Sequence, residues 1–198
     1  MIFQVMELIR QNLNSFLSPG GGPDNVVLGN IAFSTPDNPS TPLIDEGSMV
    51  IMSLVNVEEE ATLRNLSAIR QTEIRPLAYV NPPMTINLYL LFSANQRDYQ
   101  TAIQTLSSIL LFFQGNRTFS IARTPVPAAG VFAVLGEDEN NIKVTIDLMS
   151  LTFEQVNHLW GSLGGKQAPF LLFKVRQVEI DAARMLGGGG VISEIHIN

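Results

Sequence analysis

The residue types able to carry chemistry are few in this chain, and their spacings fit no reaction. Cysteine is absent, so neither a disulfide framework nor a thiolate metal site can form. A histidine-based metal site or triad would need both His158 and His196, and neither has a convincing partner nearby in the sequence. His158 follows Asn157 in a short helical stretch close to Trp160, which suits a helix-face or interface hydrogen bond. Gly164-Gly165-Lys166 invites comparison with a phosphate loop, and the comparison fails. Trp160 stands where the first glycine of that motif belongs, Gln167 replaces the hydroxyl residue that would bind Mg²⁺, and a helix rather than a strand precedes the loop. Gly20-Gly21-Gly22 follows a helix and precedes a strand, the reverse of a dinucleotide fingerprint. Glu58-Glu59-Glu60 and Glu137-Asp138-Glu139 could hold a cation only weakly and match no calcium loop. The first of these runs reads better as a solvated strand end. No carboxylate pair is singled out for glycoside hydrolysis. The expectation is a protein that is not an enzyme and carries no cofactor or metal.

Composition narrows the class further. A chain of 198 residues can bury one sizeable core. Only 15% of its residues are charged, against 45% hydrophobic. A chain with so little charge either forms a compact, weakly charged monomer or has part of its surface covered by other subunits. The net charge is −6 and the 12 Lys and Arg residues are scattered. Nucleic acid is therefore not an expected partner, because phosphate contacts need clustered cations. No apolar run is long enough to span a bilayer, so no membrane partner is expected. Glu7 interrupts the N-terminal apolar stretch and no cationic segment precedes it, which argues for synthesis in the cytoplasm without a signal peptide. The Asn65-Leu66-Ser67 and Asn116-Arg117-Thr118 sequons then have no glycosylation role.

The elements that position these residues follow from periodicity. Ile2, Val5, Met6, Ile9, Leu13, Phe16 and Leu17 recur at helical spacing, with Glu7, Arg10, Gln11 and Asn14 between them. Ser18 to Pro23 breaks this first helix. Val26 to Phe33 reads as a short strand interrupted by Gly29, and Thr35 to Gly47 as a proline-rich surface loop. Met49 to Val57 is apolar on both faces in its middle, hence a central strand. Ala61 to Thr72 is either a short helix or a long excursion, and Pro76 and Pro82-Pro83 bar regular structure at those points. Thr85 to Phe92 is a third strand. Asn95 to Gln114 forms a helix whose stripe is Tyr99, Ala102, Ile103, Leu106, Ile109, Leu110 and Phe113, ended by Gly115. Phe119 to Pro127 reads as an edge strand broken by prolines, and Glu137 to Asn141 as a turn. Ile142, Val144, Ile146 and Leu148 alternate with polar residues in a half-exposed strand.

The most informative stretch is Leu151 to Lys166, followed by Pro169 to Ile180. Thr152 and Gln155 fit a capping box, so the helix should begin at Thr152. Phe153, Val156, Leu159 and Trp160 would share its buried face, with Trp160 clamping helix to sheet. Gly161 and Gly164-Gly165 would end it. A long strand then starts at Phe170. At the end of the chain, Gly187-Gly188-Gly189-Gly190 is a flexible joint. It leads to Val191, Ile192, Ile195 and Ile197, whose β propensity suits a strand given to a sheet edge of the same subunit or of a neighbour. The fold class expected is α+β, a mixed and mostly antiparallel sheet with two or three packed helices and a flexible C-terminal β-arm. The expected division is one α+β domain over residues 1–186, with the joint and arm over residues 187–198.

Several short motifs carry a resemblance. Leu28-Gly29-Asn30-Ile31, Asn81-Pro82-Pro83, Leu91-Phe92-Ser93-Ala94-Asn95 and Phe112-Phe113-Gln114-Gly115 stand in a specific order with Asn157-His158-Leu159-Trp160-Gly161 and Leu163-Gly164-Gly165-Lys166. In this order, from about Ile2 to about Ile180, the chain resembles the cap, or tube-terminator, family of extracellular contractile injection systems. These are phage-tail-like particles of the antifeeding-prophage and virulence-cassette type, and the architecture is similar to contractile phage tail terminators. The resemblance carries Asn157, His158, Trp160, Gly161 and Gly165 as fold motifs, with no catalytic role. Some members continue well beyond the point where this chain stops.

The resemblance implies a structural cap, a homo-hexameric ring seated on the end of the inner tube and surrounding sheath. Such a particle would be assembled in the bacterial cytoplasm and then released or retained. Open polymers end in unsatisfied heterologous contacts. A terminator must match that end on one face and offer no matching face on the other. The arm at Val191–Ile197 is the candidate contact to sheath or to a neighbouring subunit. The alternative within the same machine is an adaptor or baseplate component. An alternative of another class is a small-ligand binding protein or hydrolase with a pocket beside Trp160.

Overall fold

A helix of sixteen residues, α1 (Ile2–Leu17), opens the chain. Val5, Leu8, Ile9 and Leu13 on it are fully buried, each worth about 1.5–3 kcal/mol relative to exposure. The computed structural model describes residues 1–20, 22, 24–33, 50–60, 69–70, 77–80, 84–94, 96, 98–120, 143–164, 167–180 and 185–189. After α1 come β1 (Val26–Leu28), a 3₁₀ turn (Ile31–Phe33), β2 (Val50–Glu59), β3 (Ile69–Arg70), β4 (Leu77–Val80) and β5 (Met84–Ala94). Then follow α2 (Tyr99–Gly115), β6 (Thr118–Ser120), β7 (Lys143–Leu148), α3 (Phe153–Ser162), β8 (Phe170–Ile180) and β9 (Met185–Gly189).

The main sheet has six strands in the order β1-β2-β5-β8-β7-β6. β1 runs parallel to β2, and every other neighbouring pair is antiparallel. With three helices among the described residues, the fold is α+β with a mostly antiparallel sheet, as the sequence patterns indicated. β3, β4 and β9 form a second, three-stranded sheet.

Alternation along β5 and β8 gives the main sheet two different faces. Ile86, Leu88, Leu90 and Phe92 of β5 join Phe173 and Val175 of β8 in the core shared with α1 and α2. Phe92, Phe112, Phe113, Phe119 and Phe173 interlock there, with ring centroids 4.5–6.1 Å apart. Such aromatic pairs add about 0.5–1.5 kcal/mol each beyond their area. The opposite face carries buried Ile51, Leu91 and Leu172.

Several expectations are corrected in detail. Val26 to Phe33 is a three-residue strand followed by a 3₁₀ turn, because Ser53 captures the connecting backbone. Its hydroxyl donates to the Gly29 carbonyl at 2.7 Å and accepts from the Ile31 amide at 3.2 Å. A side chain at Gly29 would press within 3.1 Å of Ile51. α2 starts at Tyr99 rather than Asn95, because Asp98 caps it by accepting from the Thr101 amide at 2.9 Å. Its buried stripe is Ala102, Leu106, Ile109, Phe112 and Phe113, while Tyr99, Ile103 and Leu110 are exposed. The run from Ile109 to Phe113 is apolar at every position, so its phase was ambiguous until the aromatic cluster selected Phe112. The loop at Thr35–Gly47, the turn at Glu137–Asn141 and the prolines at 76, 82 and 83 lie outside the described residues, as do residues 61–68.

Candidate assembly surface

α3 and the end of the chain are where the sequence placed its candidate residues. Thr152 caps α3 as expected. Its hydroxyl accepts from the Gln155 amide at 3.3 Å, and the Gln155 side chain accepts from the Thr152 amide at 3.0 Å. The helix ends at Ser162, two residues before Gly164, whose φ of +103° only glycine adopts without strain. Gly161 lies within the last turn of α3 and does not end it. Trp160 is buried and meets Phe170 edge-on, with centroids 5.5 Å apart. This contact clamps α3 onto the sheet face turned away from α1 and α2.

Phe153, expected on the buried face, is 96% exposed. It stands at the first helical position, about two turns before Trp160 and on the same side of the helix, where no other side chain covers it. Asn157 and His158 are also exposed on α3, as is Gly161. Gly165 lies outside the described residues.

The same sheet face changes character along its length. Beyond Phe170 and Leu172 it becomes polar at Lys174, Tyr89 and Asn87. Glu58 of β2 accepts from the Tyr89 hydroxyl and from Lys174 Nζ, the latter at 2.9 Å. Asn87 donates to Glu60 at 2.9 Å. The hydrogen bond from Tyr89, followed by the contact with Lys174, holds the Glu58 carboxyl below its ordinary range. Asp147 and Arg176 pair across β7 and β8 at 3.1 Å. The acidic run therefore includes a cross-strand ion pair as well as the expected strand end. Lys174 and Glu58 are 116 residues apart, so no local pattern could reveal it.

The strands leading to the C-terminus pair twice with one partner segment. β5 pairs with β8 from Met84↔Ile180 to Ser93↔Phe170. β4 pairs with β9 from Leu77↔Gly189 to Val80↔Met185, in nearly the same register. The same two chain segments therefore lie antiparallel in both sheets, on either side of Asn81-Pro82-Pro83. Gly187, Gly188 and Gly189, expected as part of a free joint, here take strand positions against Tyr79, Ala78 and Leu77. The expected boundary between residues 186 and 187 falls inside β9. Gly190 and the arm residues Val191, Ile192, Ile195 and Ile197 lie outside the described residues.

Among the described residues, no group of His, Asp or Glu side chains could hold a metal ion. No helix there is long and apolar enough to cross a membrane.

Comparison with known proteins agrees with the fold. The chain is similar over its full length to the PVC sheath/tube terminator of an extracellular contractile injection system in its extended state, with TM-score 0.65 and 16% identity. It is equally similar to the tube-terminating cap of the anti-feeding prophage, with TM-score 0.65 and 15% identity. The chain spans 62% and 61% of the length of these two solved chains. No curated protein matches it. The profile of the Pvc16 N-terminal domain matches residues 4–194. With nearly every residue inside that match, the chain belongs to the Pvc16 N-terminal domain family.

Proposed function

We propose that this chain is a structural cap that terminates the inner tube and contractile sheath of a phage-tail-like injection particle. The observation that carries this reading is the full-length agreement of its fold with two terminators, joined to its family membership. The sequence supports it from the other side, since no spacing of its chemistry-bearing residues fits a catalytic site. The protein acts as a scaffold and not as an enzyme. Its partners are the inner tube protein, the sheath protein and further copies of itself in a six-membered ring. It belongs to the particle, whether that is released or retained.

The C-terminal arm, with Val191, Ile192, Ile195 and Ile197, pairs with a sheath strand or a neighbouring subunit. Main-chain hydrogen bonds would give such a strand its affinity, and its alternate side chains its specificity. Gly190, after the paired glycines of β9, is the point from which the arm can turn. The test is co-sedimentation of the purified chain with assembled tube and sheath, for the full chain and for a truncation after Gly190 that spares β9. Binding by the full chain that weakens on truncation supports both parts. Absence of binding by the full chain rejects the cap.

A further inference from the structure

α3 is fastened far more thinly than the other two helices. α1 buries seven of its sixteen residues and α2 five of its seventeen. Trp160 alone is buried among the ten residues of α3. Val156 and Leu159 are half-buried, and the other seven are exposed. Phe153 lies on the Trp160 side about two turns earlier and is 96% exposed. The apolar side of α3 is therefore covered only toward its C-terminal end.

The one anchor is also imperfectly paid for. The indole N–H of Trp160 is buried without an acceptor. A buried donor left unpaired gives up the hydrogen bond it would make with water, and this offsets part of the gain from burying the ring. A helix of ten residues is marginal on its own in water, so α3 depends on this contact.

The structure around α3 is fixed without it. The Met149 amide donates to the Leu172 carbonyl at 2.8 Å, and the Pro169 carbonyl accepts from the Ala94 amide at 2.9 Å. These two bonds tie the chain to the sheet just before and just after the excursion that contains α3. β7 and β8 pair directly with each other, and the aromatic cluster of the core lies on the opposite face of the sheet. Release of α3 touches no strand pairing and no ring of that cluster.

We propose that α3 is a latch, a helix that opens and closes on an intact sheet with Trp160 as its single fastening. Segments with few buried apolar contacts are those that open at less cost than global unfolding. The open state exposes Trp160 and Phe170 and gives the indole N–H to water. This latch belongs to the subunit itself and stands whether or not the chain is a cap.

Amide hydrogen exchange on the full chain, resolved by NMR, tests it. The amides of residues 157–162 are expected to exchange at least about a hundredfold faster than those of Leu90, Phe92 and Ile109. Their rates should barely respond to low urea, because a local opening exposes little surface. Trp160→Ala is expected to remove protection from α3 while Leu90, Phe92 and Ile109 stay protected. Phe153→Ala removes an exposed ring and should not speed exchange in α3. Wild-type α3 amides as slow as those of the core, with the same urea response, overturn the proposal. So does a Trp160→Ala chain in which α3 stays protected, or in which the core amides lose protection too. Faster exchange of α3 in Phe153→Ala would reveal a second fastening and overturn the single latch.

Discussion

Asn14 takes the place of a neighbouring strand for the start of β1. Its side-chain amide donates to the Val26 carbonyl at 2.9 Å, and its oxygen accepts from the amides of Val26 at 2.8 Å and Asn25 at 3.0 Å. Without it, the buried Val26 backbone would lose both of these partners. Asn14→Leu should therefore cost about 3 kcal/mol, read as a lower urea midpoint at unchanged slope. Glu7, about two turns earlier, is buried and grips Arg10 through both carboxylate oxygens, at 2.6 and 2.8 Å. Arg10 in turn reaches Asp24, and Gln11 donates to Glu7 at 2.8 Å. The Arg10 hydrogen bonds outweigh burial and hold the Glu7 carboxyl below its ordinary 4.5. A carboxyl depressed by folding stabilises above its unfolded value and loses that contribution as pH falls through its folded value. Glu7→Gln should thus be less stable than wild type by a constant margin between pH 7 and 5.5. The margin should shrink below pH 4.5, and urea titrations across this range would show it. A margin unchanged down to pH 3 would mean that the ion pair contributes nothing.

Gln177 marks the place where β8 bends. Its φ is +66°, and the register with β5 slips between Ile86↔Val178 and Leu88↔Val175. This is a bulge with a non-glycine residue in the left-handed region, which costs such a residue about 1–2 kcal/mol. Gln177→Gly should relieve the strain at some cost in unfolded-state entropy, for a net gain of up to about 1 kcal/mol. Gln177→Val should lose stability, and thermal melts of the two variants would separate them. The strand itself was legible, because Phe170 onward is aromatic and β-branched. The bulge was not, because nothing local in Val175-Arg176-Gln177-Val178 distinguishes it from a regular strand. The same contrast holds elsewhere. The capping box of α3 and the alternation of Val144 with Ile146 are local codes and were readable. Glu7 and Asn14 sit at positions that a helical pattern assigns to solvent, and they are buried because partners at Arg10 and at β1 satisfy them. Trp160 was readable as a clamp, whereas Phe153 shares its side of α3 at the helix start and is exposed, which periodicity does not report. β4 and β9 pair across more than a hundred residues, which no periodicity reports.

The assembled architecture gives these parts a common use. A sheet with α1 and α2 on one face and α3 on the other has two distinct sides, which a ring of identical subunits needs if each contact is to be head to tail. β4 and β9 pair the same two chain segments as β5 and β8, and in sequence β9 leads to the C-terminal arm. The arm thereby starts from a paired strand instead of from a free chain end. On the proposed cap reading, the arm is the part that would reach a neighbouring component. The proposed cap is a claim about location, so the most direct measurement is where the protein sits on a particle. Tubes and sheaths assembled with gold-labelled protein can be viewed by electron microscopy. The account predicts label confined to one end of each particle, with tubes growing longer and less uniform when the protein is withheld. Label spread along the sheath, or seated on the baseplate with tube length unaffected, would contradict it.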